Sequence, residues 1–145
     1  MLDRREFVGR TVCALIAAPS ALLAGCASLV TRTVTPVDGT LRLSLVHYPE
    51  LAAPGGSLRV LPEGGDEPIY VLSLGADRFV AVSPICTHLG CTVEIQGARL
   101  ICPCHGSTYD RDGRVLQGPA ERPLARYATQ LSNDGVVIID LGSRT

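Results

Sequence analysis

Two short stretches of this sequence bring together side chains that bind metals. They are CTHLGC, residues 86–91, and CPCHGS, residues 102–107, and they place four cysteines and two histidines within twenty residues. In proteins, zinc and iron are bound by ligands such as thiolate sulfur and imidazole nitrogen. A framework of disulfides alone would give no reason for a histidine beside each pair of cysteines. The two boxes therefore predict a bound group, and a zinc ion held by two cysteines and two histidines is one candidate.

The spacing of these residues resembles that of one protein family. Cys86-x-His88 followed by Cys102-x-x-His105, with an extra cysteine inside each box, is similar to the pattern of Rieske iron–sulfur proteins, in the form found in respiratory Rieske subunits. The resemblance implies a [2Fe–2S] cluster in which Cys86 and Cys102 bind one iron while His88 and His105 bind the other. It also implies an all-β fold, a Rieske-like antiparallel β-sandwich with two cluster-binding loops at one end.

The same resemblance assigns roles to the other polar residues of the two boxes. Cys91 and Cys104 would form a disulfide between the loops. The hydroxyls of Ser107 and Tyr109 would donate hydrogen bonds to a bridging sulfide and to the sulfur of Cys86. Such bonds favour the reduced cluster, because it is the more negatively charged state. A structural zinc ion gives no reason for the extra cysteine pair or for the two hydroxyls, which disfavours zinc.

The mixed ligand set has an electrostatic consequence. Four thiolates would give the oxidised cluster a net charge of −2, whereas two thiolates and two neutral imidazoles make it neutral. An electron enters a neutral site more readily, so such clusters have potentials of about −150 to +300 mV, against about −400 mV for plant-type clusters with four cysteines. Because the hydroxyls of Ser107 and Tyr109 would both be present, we expect the midpoint potential to lie at the high end of that range.

Three further features lie outside the ligand set. Residues 117–124, QGPAERPL, resemble the third loop, rich in Gly and Pro, that covers the cluster in this family. Leu89 is expected at the tip of the domain beside an exposed ligand, in a position to dock on a partner. His47, in VHYPE, is expected at the end of a strand with no ligand role.

Residues 1–25 are predicted to be an export signal. DRREFVG, residues 3–9, has two adjacent arginines, one spacer and a Phe; it resembles a twin-arginine signal, and an apolar run follows it. The run ends in LAGC, which resembles the cleavage box of bacterial lipoproteins and makes Cys26 the expected lipidation site. An uncleaved anchor is the alternative, because residues 11–30 are mostly apolar and long enough to span a bilayer. Either way, we expect an exported protein anchored at the periplasmic face of a bacterial membrane.

After the signal, the sequence predicts a linker and one β domain. Residues 26–39 contain Ser, Thr, Pro and Gly without helical periodicity and are assigned to a tether, and residues 40–145 are assigned to the [2Fe–2S] domain. TLRLSLV, residues 40–46, alternates in the manner of a half-buried strand. Three hairpins are predicted from strand pairs joined by turn residues: 69–74 with 78–82, 92–95 with 98–101, and 124–131 with 136–141. Because the two boxes flank the second hairpin, we expect them at the same end of its sheet.

Length and charge narrow the class of protein. A chain of 145 residues buries one modest core, so a single folded domain is expected. All thirteen basic residues are arginines, and fourteen acidic residues bring the net charge to −1. This balance argues against a nucleic-acid-binding surface.

The expected function is membrane-tethered electron transfer without substrate chemistry of its own. In the first hypothesis the protein is the iron–sulfur subunit of a quinol-oxidising cytochrome complex, with a cytochrome c-like acceptor. In the second it is a small Rieske subunit of a periplasmic oxidoreductase, which suits the lipoprotein-type anchor and the thirteen residues between His88 and Cys102. A cytosolic Rieske ferredoxin that serves an oxygenase is disfavoured by the export signal and by Cys91 and Cys104, because a reducing cytosol would leave that pair open.

Overall fold

The computed structural model describes residues 29–145. The predicted export signal, residues 1–25, and the predicted lipidation site, Cys26, lie outside the described residues. Among residues 29–145, no helix is both long enough and apolar enough to cross a membrane.

The described chain forms strands and two short 3₁₀ turns, Pro49–Leu51 and Leu141–Ser143. The strands are β1 (Thr31–Val34), β2 (Thr40–Ser44), β3 (Ser57–Pro62), β4 (Ile69–Gly75), β5 (Arg78–Val82), β6 (Glu94–Gln96), β7 (Arg99–Ile101), β8 (Thr108–Asp110), β9 (Val115–Gln117), β10 (Arg126–Leu131) and β11 (Val136–Asp140).

These strands form two sheets. The larger sheet has seven strands in the order β1-β3-β4-β5-β10-β11-β2, and the smaller has four in the order β6-β7-β8-β9. In sequence, the smaller sheet is inserted between β5 and β10 of the larger one. Neighbouring strands are antiparallel except for β1, which pairs with β3 in parallel. The predicted all-β class is confirmed.

The three predicted hairpins are present as β4–β5, β6–β7 and β10–β11. The turn between β4 and β5 places Ala76 and Asp77 at positive φ, a conformation that matches the right-handed twist of the flanking strands. The turn between β6 and β7 uses Gly97 at φ 59°. Local turn chemistry and two-residue alternation were therefore sufficient to predict these three pairs.

The first strand lies within the segment that the sequence assigned to a linker. Thr31–Val34 pair with β3, from Thr31 opposite Arg59 to Val34 opposite Pro62. This strand forms an edge of the larger sheet and is mostly exposed, so its side chains lack the apolar alternation of a half-buried strand. Its partner is also distant in sequence, which leaves no local turn signal.

Two buried clusters stabilise the domain. One lies within the larger sheet and includes Leu41 and Leu43, the apolar positions of the predicted alternation in β2. The other joins β4 and β5 to the smaller sheet, through residues such as Leu72, Val80 and Leu100. Cys86 and Cys102 belong to this second cluster. The packing that joins the two sheets therefore also positions the two boxes.

Arg111 connects the two sheets on the side away from the boxes. Its guanidinium donates one hydrogen bond to the carbonyl of Gly97, in the β6–β7 turn, at 2.9 Å. It donates another to the carbonyl of Gly56, just before β3, at 2.7 Å. Burial lowers the pKa of Arg111. Gly56 leaves no room for a side chain, since an added Cβ would lie 1.9 Å from the carbonyl oxygen of Glu50.

Candidate metal centre

The two boxes form loops with the same backbone hydrogen bonds. In the first, the N–H of Cys86 donates to the carbonyl of Cys91 at 2.8 Å, and the N–H of Gly90 donates to the carbonyl of Cys86 at 2.9 Å. In the second, the matching bonds run from Cys102 to Ser107 at 2.8 Å and from Gly106 to Cys102 at 3.0 Å. Gly90 and Gly106 both have positive φ, a conformation that glycine adopts without steric cost. Each loop thus turns tightly around its first cysteine.

A disulfide joins the two loops. Cys91 and Cys104 are bonded to each other, as predicted. Their separation of 13 residues corresponds to a stabilisation of about 3 kcal/mol in the chain-entropy model. The bond fixes the two loops next to each other at one end of the smaller sheet.

The other two cysteines of the boxes are free thiols. Cys86 and Cys102 are 2 % and 1 % exposed, and both are free. Each thiol shifts the pKa of the other, so the two side chains lie near each other. The sulfurs of Cys91, Cys102 and Cys104 also fall within 4.8 Å of one another. That trio is not a ligand set, because two of its sulfurs are in the disulfide and cannot act as thiolates.

The imidazoles of the two boxes lie close to each other. The ring centroids of His88 and His105 are 4.9 Å apart, with the ring planes nearly perpendicular. His88 is partly buried and His105 is exposed. Within the described residues, Nδ1 of His88 is buried without a hydrogen-bond partner. A buried nitrogen without a partner costs about 1–3 kcal/mol, and a bond to a metal would remove that cost.

This donor set fits a [2Fe–2S] cluster. Two buried thiols become thiolate ligands, and two neutral imidazoles supply nitrogen. The unpartnered Nδ1 of His88 is the atom that such a ligand role would use. The structure thus brings together the four predicted ligands, Cys86, His88, Cys102 and His105, and the assignment of each to an iron remains a prediction.

Tyr109 is fully buried beside the first cysteine. Its hydroxyl lies 3.2 Å from Sγ of Cys86, the contact expected of a tuning residue. Burial raises the pKa of Tyr109, and the bond to the Cys86 sulfur raises it further, so the phenol keeps its proton and acts as a donor. Burial alone would raise the pKa of the Cys86 thiol, but hydrogen bonds, first among them that of Tyr109, bring it below its ordinary value. Burial raises the pKa of the Cys102 thiol.

Ser107 connects the second box to the third loop. Its side chain is fully buried, and Oγ accepts a hydrogen bond from the backbone N–H of Ala120 at 3.0 Å. That bond uses the oxygen as an acceptor and leaves the hydroxyl proton for a second partner. Its predicted bond to a bridging sulfide is compatible with this arrangement and remains a prediction.

Thr87, between two predicted ligands, has a role that the sequence did not reveal. Its hydroxyl donates to the carbonyl of Arg122, in the third loop, at 2.6 Å. Its backbone N–H donates to the Tyr109 oxygen at 3.3 Å, and its Oγ1 lies 3.1 Å from that oxygen. Thr87 therefore links the first box, the third loop and the tuning tyrosine. A hydroxyl residue between two ligands was the available signal, but its partners are distant in sequence.

The remaining predicted positions lie at the surface. Leu89 is 69 % exposed at the end of the first loop. His88 lines a groove together with Thr87, Pro119, Glu121 and Arg122. His47 is exposed in the turn after β2, outside the metal centre.

The fold and the site together define a class. The family model described as the Rieske [2Fe-2S] domain matches residues 50–128, and the chain belongs to this family. The two boxes and the third loop all lie inside the matched segment. The predicted family and its cofactor are confirmed.

Two curated relatives of this chain are iron–sulfur subunits of cytochrome b6-f complexes. The chain is 32 % identical over 116 residues to the cytochrome b6-f complex iron-sulfur subunit of Chlorobaculum tepidum, a match that covers 77 % of this chain and 62 % of that protein. It is 35 % identical over 101 residues to the cytochrome b6-f complex iron-sulfur subunit 2 of Synechocystis, which covers 66 % of this chain and 56 % of that protein. The chain therefore spans about three fifths of the length of these curated relatives.

Solved structures share the fold. The cyanobacterial plasma membrane Rieske protein PetC3 from Synechocystis superposes with a TM-score of 0.51 at 37 % identity, over 58 % of this chain and 85 % of that one. A chain from the complex of oxygenase and ferredoxin in carbazole 1,9a-dioxygenase gives a TM-score of 0.56 at 23 % identity, over 72 % of this chain and 95 % of that one. At that identity, the second match shows the fold alone.

Proposed function

We propose that this protein is an electron carrier that is exported and held at a membrane. The observation that carries the proposal is the convergence of two free, buried thiols and two histidines on loops joined by a disulfide. A bound [2Fe–2S] cluster supplies a centre that takes up and gives back one electron. The described residues supply the rest: Cys86 and Cys102 hold one iron, His88 and His105 hold the other, and Tyr109 and Ser107 donate hydrogen bonds that favour the reduced state.

The electron enters and leaves at the exposed end of the site. His105 is exposed and His88 lines the surface groove, whereas both cysteines are buried. The imidazole edges therefore form the contact point for a redox partner. The protein itself has no substrate chemistry in this proposal.

Two classes of partner are proposed. The relatives named as cytochrome b6-f iron-sulfur subunits support a cytochrome b-type complex, in which the carrier takes electrons from quinol and passes them to a cytochrome c-like acceptor. The second class is a periplasmic oxidoreductase that uses this chain as its small electron-transfer subunit. One structural observation favours the second class: Leu29, three residues after the proposed lipid anchor at Cys26, already packs against the buried cluster that joins the two sheets.

The histidines offer a matched test of the proposed function. The protein should be produced together with iron–sulfur assembly machinery, and its iron, acid-labile sulfide and EPR spectrum after reduction measured. We expect two irons and two sulfides per chain. Replacement of either His88 or His105 by alanine should remove the signal, whereas His47→Ala, which changes the remaining histidine of the chain, should leave it intact. Zinc in place of iron, or a signal unchanged by the two ligand variants, would contradict the proposal.

A further inference from the structure

A residue that packs in the folded domain lies close in sequence to the proposed anchor at Cys26. Leu29 is partly buried and packs against the cluster of side chains that joins the two sheets. Two residues later, Thr31 begins β1, which is held along its length by β3. Only three residue steps therefore separate Cys26 from a side chain fixed in the fold. Fully extended, three residues span about 11 Å.

Strand register shows in which direction the chain enters the domain. Thr31 lies opposite Arg59, Arg59 opposite Tyr70, and Tyr70 opposite Val82. Across these pairs β1 and β5 run in the same direction, and β5 leads directly into the first box. The chain before Thr31 therefore points away from the boxes. Leu29 lies two residues further back, or about 7 Å along the strand.

The hydrogen bonds of Arg111 also indicate that Leu29 lies at the end of the domain opposite the boxes. By continuation of the β1–β3 register, Leu29 is level with Ser57, next to Gly56. Arg111 joins Gly56 to Gly97, the turn of the β6–β7 hairpin. This turn is six residues from Cys91, so it lies about 20 Å from the first box along the strand direction.

These lengths restrict how the domain can face a membrane. For the boxes to point at the surface, Leu29 would have to lie about 20 Å above it, which is nearly twice the reach of the three-residue connection. With the boxes pointing outward, the connection is long enough. The tip also carries Glu121 and Arg122 beside His88. A charged rim of this kind suits the surface of a water-soluble protein better than the interior of a bilayer.

We propose that the domain stands on the membrane with its metal centre directed away from the lipid, and that its electron partner is an exported redox protein that docks from the aqueous side. This inference rests on the proposed attachment at Cys26. It selects the second class of partner over direct reduction by quinol dissolved in the bilayer.

Paramagnetic relaxation provides the test. The acylated full-length protein, in phospholipid vesicles and with its cluster reduced, is exposed either to a water-soluble gadolinium chelate or to the same chelate coupled to a lipid headgroup. A variant with twelve Gly/Ser residues inserted between Ser28 and Leu29 gives the tether an additional reach of about 20 Å. A control carries the same insert after Thr145. We expect the soluble chelate to accelerate cluster relaxation in all three proteins, and the lipid-bound chelate to do so several-fold more in the Ser28–Leu29 insertion variant than in the other two.

The outcomes separate the inference from the function on which it rests. Equal relaxation by the lipid-bound chelate in the native protein and in the Ser28–Leu29 insertion variant would overturn the proposed orientation and leave the anchored carrier in place. Mass spectrometry that shows an unmodified Cys26, with a protein that stays free of vesicles, would overturn both the anchor and the orientation. The EPR signal of the cluster would still report independently on the electron carrier.

Discussion

The hydroxyl of Tyr109, in β8, lies 3.2 Å from the sulfur of Cys86, in the first box. Tyr109 is fully buried, and its raised pKa keeps the hydroxyl proton in place. A buried donor aimed at a ligand sulfur stabilises additional negative charge on that sulfur. The contact therefore links the packing of β8 to the energy of an added electron.

Removal of this donor is expected to lower the midpoint potential. We predict that Tyr109→Phe lowers it by roughly 40–60 mV, since about 1.4 kcal/mol corresponds to 59 mV for one electron. Redox titration monitored by EPR gives the value. Tyr70→Phe is the matched control, because the Tyr70 hydroxyl belongs to the same buried cluster but donates to the carbonyl of Val93 at 2.9 Å. Equal shifts in the two variants would show that the Cys86 contact has no special role.

Thr87 is expected to hold the third loop against the first box. Thr87→Val removes the bond to the Arg122 carbonyl and should lower the free energy of unfolding by about 0.5–1.5 kcal/mol. Thr87→Ser keeps the hydroxyl and should retain most of that stability. Hydrogen exchange at the backbone amides of residues 117–124, measured on the cluster-loaded protein, should become faster only in the valine variant. Equally fast exchange in both variants would indicate that the Thr87 methyl group, not its hydroxyl, holds the loop.

The disulfide is expected to hold the two loops together. The double variant Cys91→Ser, Cys104→Ser should be less stable by about 3 kcal/mol, because the unfolded chain gains the freedom of the opened loop. The cluster absorbance at constant temperature should then decay faster than in the native protein. The native protein treated with a reductant that opens the disulfide should behave like the double variant. Unchanged decay in both samples would mean that packing alone holds the loops.

Arg111 is expected to matter more for stability than its neighbour Arg114. Arg111→Met leaves the carbonyls of Gly56 and Gly97 without their donor, and we predict a loss of about 1–3 kcal/mol in the free energy of unfolding. Arg114 is 71 % exposed and lies 3.9 Å from Asp112, so Arg114→Met should change stability by less than about 1 kcal/mol. Urea denaturation of both variants gives the comparison. Similar losses would remove the special role of the connection between the sheets.

Features that depend on residues close together in the sequence were predicted, and features that depend on distant residues were not. The three hairpins were predicted from turn residues and two-residue alternation, which are signals between neighbouring residues. The two boxes and the Cys91–Cys104 bond were predicted from a family pattern that lies within one short segment. Strand β1 was assigned to a linker, because its pairing with β3 is parallel and separated by many residues. The contacts of Thr87 with Arg122 and of Arg111 with Gly56 were also beyond prediction. In each case the partner is a backbone carbonyl far along the chain, and no residue type signals such a partner.

The central claim is a two-iron cluster bound by two thiolates and two imidazoles. Pulsed EPR of the reduced, full-length protein counts the nitrogens coupled to the unpaired electron. We predict strong coupling to two imidazole nitrogens, from His88 and His105. A reduced cluster without nitrogen coupling, or a purified protein that holds zinc and no iron after production with assembly machinery, would contradict that claim.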